Sequence, residues 1–271
     1  MKGDGTVKRS MTGVAIILFL RTALAYSFAI FFPRMSELGS LFSYLLPLLF
    51  FSTRFGKGCV QSKEIGFCAK NTVPFLSLFP FFLTGVIIIS VVSSSLSVAV
   101  GYEIVEVVPS DNIFYALIFD ALVPSLCEEL LCRYALLRLL SPFGRGGSAL
   151  LSAIVFSLLH ANLYQMPYAF FAGLMLATLT LASRSVFVPI LFHFLNNLIS
   201  VALFYLPDSA LLFFFGGAIC LLPLSFFLAV RNGTLQGCVE IFSDKSVKPM
   251  LKSALYSPLV FFALLMLLLT V

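Results

Sequence analysis

The sequence contains no tryptophan, only two histidines and few charged residues. Asp, Glu, Lys and Arg make up 11% of its 271 residues, whereas 60% are hydrophobic and the mean hydropathy is +1.06. A soluble domain is about a quarter charged and roughly half apolar. A globule of this size could not bury so much apolar surface, which excludes a soluble enzyme, a disordered chain and a secreted disulfide-linked module. The composition predicts a multi-pass membrane protein.

The six cysteines form no CxxC pair, so we interpret them as packing residues rather than as disulfide or metal-binding cysteines. The formal net charge is +5. The basic residues stand mainly between apolar runs, where membrane orientation requires them. We therefore expect membrane lipid as a partner and no nucleic acid.

Long apolar runs predict an all-α bundle of membrane-spanning helices. At about 20 residues per span, the chain accommodates about eight or nine spans and no separate soluble domain. The predicted spans cover residues 12–32, 38–51, 73–100, 113–140, 148–163, 167–182, 186–206, 211–230 and 255–271. We expect one membrane domain over residues 1–271.

The loops predict the orientation of the chain. Basic residues are concentrated in the N-terminal tail and in alternate loops, and acidic residues in the other loops. By the positive-inside rule, the N-terminus is cytoplasmic in a multi-pass protein of the cell membrane. Ala23 to Ala25 resembles a signal-peptide cleavage site, so removal of residues 1–25 is an alternative. Arg21 interrupts that run and is expected to snorkel or to pair internally.

Both histidines, His160 and His193, and two adjacent carboxylates, Glu128 and Glu129, fall inside predicted spans. Such groups are costly in a membrane unless they are paired or hydrated, so a functional site is favoured over a purely structural polar network. Counted from the predicted cytoplasmic ends, Glu128, His160 and His193 lie about 13, 12 and 8 residues in, or roughly 12–20 Å deep. Three helices thus bring polar residues to a similar level.

Three pairs with a four-residue spacing share a helical face. They are Glu129 and Arg133, Phe156 and His160, and His193 and Asn197. A carboxylate beside a second carboxylate and near a histidine can activate water as a general base. A second histidine and an amide can donate to an oxyanion. This set predicts peptide-bond hydrolysis in a water-filled cavity reached from the cytoplasm, and no GxSxG elbow supports a nucleophilic serine instead.

These residues also form three short motifs in a fixed order. Residues 127–133 contain EExxxR, residues 156–160 read FxxxH, and residues 193–197 read HxxxN. In this order the motifs resemble those of the CAAX protease and bacteriocin-processing family, the intramembrane glutamic endopeptidases, in its bacterial branch. The resemblance covers roughly residues 120–200 and includes Gly173.

The resemblance implies a catalytic core over residues 112–206 and a cavity open to the cytoplasm. Four residues would be catalytic and three supporting. Glu128 would activate water with help from His160, His193 and Asn197 would hold the oxyanion, Glu129 and Arg133 would orient the site, and Phe156 would shape its wall. No cofactor is implied. The substrate would be a membrane-associated peptide or protein, prenylated or not.

Three alternatives stay open at this point. Glu128, His160 and His193 supply a His₂Glu set that could bind zinc, although no HExxH motif is present. A non-catalytic member of the family could act as an immunity protein or a membrane adaptor. A proton-coupled transporter would also bury Glu and His, but it typically shows internal repeats, and the sequence shows none.

Overall fold

The structure is a computed structural model of the chain. It describes residues 2–32, 35–55, 65–68, 72–104, 109–207 and 209–243, together with residues 262 and 265. Apart from one isolated β-bridge between Gly66 and Ser185, these residues form helices and the loops that join them. The predicted all-α architecture is therefore confirmed.

Nine helices follow one another along the described chain. They are α1 (Lys2–Phe31), α2 (Ser36–Arg54), α3 (Thr72–Ala99), α4 (residues 113–139), α5 (Gly144–Leu158), α6 (Met166–Ser183), α7 (Phe187–Tyr205), α8 (Ser209–Arg231) and α9 (Thr234–Glu240). A short 3₁₀ turn over Ser141–Phe143 separates α4 from α5. Each of the first eight predicted spans corresponds to one of these helices, whereas the ninth, 255–271, lies almost wholly outside the described residues.

Five of the helices are long and apolar enough to cross a membrane. They include residues Thr6–Phe31, Thr72–Ala99, Met166–Ser183, Phe187–Tyr205 and Leu212–Arg231. Helix α5 has only 15 residues, and α4 is divided into shorter segments. The expectation of eight or nine spans goes beyond these five helices and stays a prediction.

The surface of the bundle is strongly apolar. On α8, for example, Phe213, Phe226 and Phe227 are all more than half exposed. Contiguous apolar surface of this kind requires lipid or another apolar environment. The chain is thus a multi-pass membrane protein.

The described residues form four buried apolar clusters, and the two largest lie around the predicted site. The first joins α1, α2, α4 and α5, and contains Tyr44, Leu131 and Phe156. The second joins α3, α6, α7 and α8, and contains Phe192, next to His193. The Phe156 and His193 rings lie 5.7 Å apart between their centroids, so the predicted site lies where the two clusters meet.

A glycine allows α1 and α2 to approach closely. A Cβ atom on Gly39 would lie 2.4 Å from Cβ of Phe28 on α1, far inside van der Waals contact. Only glycine fits this spacing. The close pair α1–α2 then packs its inner face against α4.

Candidate active site

Helix α4 carries both carboxylates, and its backbone is irregular on either side of them. Leu117–Leu122 and Leu130–Leu136 are π-helical, and the segment between them, Val123–Glu129, is α-helical. Pro124 cannot donate a backbone hydrogen bond, which interrupts the regular ladder near the first of these segments. Short π-helical segments are often found at functional sites.

Glu129 and Arg133 form a completely buried ion pair within α4. Arg133 Nε lies 3.0 Å from Glu129 Oε2, and neither side chain is exposed. This confirms the ion pair predicted from the four-residue spacing. Arg133 also donates to Oγ of Ser152 on α5 at 3.1 Å, so the pair ties α4 to α5.

The second oxygen of the Glu129 carboxylate binds α7. His193 Nδ1 lies 2.9 Å from Glu129 Oε1. A carboxylate only accepts hydrogen bonds, so Nδ1 carries a proton, and Nε2 is the ring nitrogen that does not contact Glu129. Sequence reasoning paired Glu129 with Arg133 alone and missed this contact.

The Phe156 ring lies at the centre of the cluster. Its centroid is 4.8 Å from the Arg133 guanidinium carbon, 5.0 Å from the His160 ring and 5.7 Å from the His193 ring. Phe156 is 3% exposed. The Phe156 ring thus lies next to both imidazoles.

His160 lies just after the end of α5. Its Nδ1 lies 2.8 Å from the Phe156 carbonyl oxygen, so Nδ1 donates and Nε2 keeps its lone pair. The next residue, Ala161, has φ +47°, and this left-handed conformation turns the chain sharply into the loop before α6. His160 is partly exposed and lies within electrostatic range of Glu128 and His193.

Glu128 differs from its neighbour because it is partly exposed. Its Oε1 accepts a hydrogen bond from the Tyr44 hydroxyl at 3.2 Å. The same hydroxyl accepts one from Arg21 NH2 at 3.0 Å. The expectation that Arg21 pairs internally is therefore confirmed, whereas no sequence signal pointed to Tyr44.

Asn197 lies one helical turn after His193 on α7 and is partly exposed. Its Oδ1 accepts a hydrogen bond from Asn196 Nδ2 at 3.4 Å. In the part of the chain that the structure describes, no hydrogen bond links Asn197 to the cluster around Glu129. Asn197 is on the same helical face as His193, because the two residues are four apart in one helix.

A zinc site at Glu128, His160 and His193 stays an alternative prediction. Across the described ranges, no three His, Cys, Asp or Glu side chains are close enough together to hold a metal ion. The five described cysteines form no disulfide: Cys68, Cys127, Cys132, Cys220 and Cys238 are free. Cys59 lies outside the described residues.

The close packing behind Phe156 gives a first testable prediction. A Cβ atom on Gly173 of α6 would lie 3.0 Å from Phe156 Cδ1 and 3.2 Å from the Ala153 Cα. We expect Gly173→Ala to destabilise the protein by about 1–3 kcal/mol and to lower its melting temperature in detergent. Gly217→Ala on α8 is the matched control, because a Cβ atom there meets nothing within 4 Å. Equal melting temperatures for the two variants would contradict this packing.

Taken together, the helices and the buried polar cluster define a helical multi-pass membrane protein with an enzyme-like site. Residues 110–199 match a family model described as Rce1-like, type II CAAX prenyl endopeptidase Rce1-like. This segment, about a third of the chain, is similar to that protease family, in agreement with the resemblance found in the motifs. No curated protein and no solved structure matches the chain.

Proposed function

We propose that the protein is an intramembrane endopeptidase that hydrolyses a peptide bond of a membrane-associated protein or peptide. The observation that carries the proposal is the division between two adjacent carboxylates. Glu129 is fully buried, with one oxygen on Arg133 and the other on His193. Glu128 is partly exposed, and among the described residues its one hydrogen-bond partner is Tyr44, on Oε1. Glu129 therefore has a structural role, because both of its oxygens bind other helical side chains. Glu128 keeps an oxygen that can act on water.

In the proposed reaction, Glu128 takes a proton from a water molecule whose oxygen attacks the scissile carbonyl carbon. His160 Nε2 assists by accepting a hydrogen bond from that water. His193, protonated on both ring nitrogens, donates from Nε2 to the oxyanion that forms, and the Asn197 amide donates to it as well. The carbon–nitrogen bond then breaks, and Glu128 returns the proton to the leaving nitrogen, which yields a carboxylic acid and an amine.

The Glu129 carboxylate acts indirectly in this scheme. It orients the His193 ring through Nδ1, and Arg133 in turn holds the carboxylate. A hydrogen-bond partner on one ring nitrogen fixes the orientation of an imidazole. We propose that this chain of contacts aims Nε2 at the oxyanion.

We further propose that the N-terminus is cytoplasmic and that the site opens towards the cytoplasm of the cell membrane. The proposal rests on the distribution of basic residues among the loops and on the predicted depth of Glu128, His160 and His193. Cysteine labelling of a residue in the tail, in intact and in permeabilised cells, tests the orientation.

The substrate test uses two matched peptides. One internally quenched peptide carries a farnesylated cysteine three residues before its C-terminus, and the other has the same sequence without the lipid. The purified full-length protein in lipid nanodiscs is expected to cleave at least one of them, as detected by fluorescence and located by mass spectrometry. Cleavage of the lipidated peptide alone would assign a prenylated substrate.

Activity is expected to persist after treatment with EDTA and with 1,10-phenanthroline, because the proposed reaction uses side chains and water only. Activity lost on chelation and restored by Zn²⁺ would instead support the zinc site at Glu128, His160 and His193. Protein that stays folded and cleaves neither peptide, nor any membrane peptide in a cell-wide comparison with Glu128→Gln, would favour the non-catalytic role as an adaptor or immunity protein.

A further inference from the structure

Two residues outside the family-matched segment reach the proposed base. Tyr44 on α2 donates to Glu128 Oε1 at 3.2 Å, and Arg21 on α1 donates to the Tyr44 hydroxyl oxygen at 3.0 Å. The Arg21 guanidinium carbon also lies 5.0 Å from the centre of the Tyr44 ring. The three side chains therefore form a continuous chain of hydrogen bonds from α1 through α2 to α4, which we call the relay.

The relay is held rigidly by packing. Tyr44 is 5% exposed and belongs to the same apolar cluster as Ile17 of α1 and Leu131 of α4. The close contact between Gly39 and Phe28 fixes α1 against α2. A hydroxyl positioned in this way contacts the carboxylate without further ordering of the side chain.

The charges explain why a tyrosine stands between the other two groups. Arg21 lies inside a predicted membrane span, where an isolated guanidinium is costly. Among the described residues, no carboxylate lies within ion-pair distance of Arg21, and its Nε has no hydrogen-bond partner. Arg21 therefore influences Glu128 through the phenol, which accepts from the cation and donates to the anion at the same time.

From these contacts we infer that Tyr44 and Arg21 are positioning residues that hold Oε1 of Glu128 and leave Oε2 directed at the attacking water. This inference rests on the proposed function of Glu128. It assigns the two N-terminal helices a part in the reaction, in addition to anchoring the bundle.

The test compares Tyr44→Phe with the wild type in the peptide assay. Removing the hydroxyl is expected to lower kcat by about 10- to 100-fold, the range for a hydrogen bond to a charged group. KM is expected to change little, because neither residue is placed in contact with the peptide. Tyr134→Phe is the matched control: its ring packs on Phe51 and Arg138, and no described contact joins it to either carboxylate. We expect kcat of this control to equal that of the wild type.

Arg21 supplies a second, independent comparison. Arg21→Lys keeps a cation that can donate to the Tyr44 hydroxyl, whereas Arg21→Met removes both charge and donor. We expect Arg21→Met to lower kcat as Tyr44→Phe does, and Arg21→Lys to recover most of the loss. A merely structural role would lower the melting temperatures of both Arg21 variants without this difference in kcat.

The possible results distinguish a failure of the relay from a failure of the proposed protease function on which it rests. Wild-type kcat in both Tyr44→Phe and Arg21→Met, with Glu128→Gln inactive, would overturn the relay and keep the protease. A raised KM with unchanged kcat would place the hydroxyl on the substrate and would also overturn the relay. Full activity of Glu128→Gln would overturn the proposed function itself.

Discussion

Glu128→Gln is expected to abolish peptide cleavage and to leave the folded protein intact. The amide has the same shape as the carboxylate and can still accept the hydrogen bond from Tyr44. It cannot take a proton from water. General-base catalysis typically contributes about 10²- to 10⁴-fold to a rate, so the residual activity should fall to the background of the assay. The initial rate of fluorescence release and the melting temperature check the two halves of the prediction.

Two other glutamates serve as controls for this result. Glu240→Gln changes an exposed acid on α9 that accepts a hydrogen bond from Gln236, far along the chain from both site carboxylates, so we expect wild-type activity and stability. Glu129→Gln removes a buried charge from the ion pair with Arg133, so we expect loss of both activity and stability. A Glu128→Gln variant that still cleaves the peptide would show that another group activates the water.

Arg133→Met is expected to have the largest effect on stability. Arg133 is completely buried, and its loss leaves the Glu129 carboxylate without its guanidinium partner in an apolar interior. Breaking a buried pair by removing one partner costs about 3–5 kcal/mol. The hydrogen bond to Ser152 and the contact with the Phe156 ring disappear as well. We expect poor yields and a strongly lowered melting temperature in detergent, measured by size-exclusion chromatography after heating.

The double variant Glu129→Gln with Arg133→Met distinguishes the stability lost through an unpaired buried charge from the stability lost through altered packing. Removing both charges avoids the unpaired carboxylate, so part of the lost stability should return, while cleavage remains impaired because the His193 ring loses its oriented partner. Arg145→Met, which changes an exposed arginine on α5, is expected to change the free energy of unfolding by less than about 0.5 kcal/mol. An Arg133→Met variant as stable as the Arg145→Met variant would show that the buried pair contributes little to stability.

Contacts within one helix were the part of the site that could be predicted from the sequence. Glu129 and Arg133 meet because residues four apart share a face whatever the rest of the fold does. Phe156 and His160 contact each other for the same reason. The composition predicted the membrane-spanning helices equally directly, because apolar side chains in such number require lipid.

Contacts between helices could not be predicted in this way. The hydrogen bond from His193 to Glu129 joins residues 64 apart, and the one from Tyr44 to Glu128 joins residues 84 apart. Spacing along a chain gives no information about the rotation of one helix relative to another. A tyrosine in an apolar run has many ordinary uses in packing or at a membrane interface, so Tyr44 carried no signal of its own.

The sequence by itself determined that this chain is a helical membrane protein and which polar residues stand inside its spans, since both follow from composition and from the fixed pitch of a helix. Only the tertiary structure decided that the Glu129 carboxylate is buried and that the Glu128 carboxylate is partly exposed. Glu128 and Glu129 are neighbours with identical chemistry, and they differ because successive residues on a helix point about 100° apart. One therefore faces Arg133 and His193, and the other faces the Tyr44 hydroxyl that α1 and α2 bring to it.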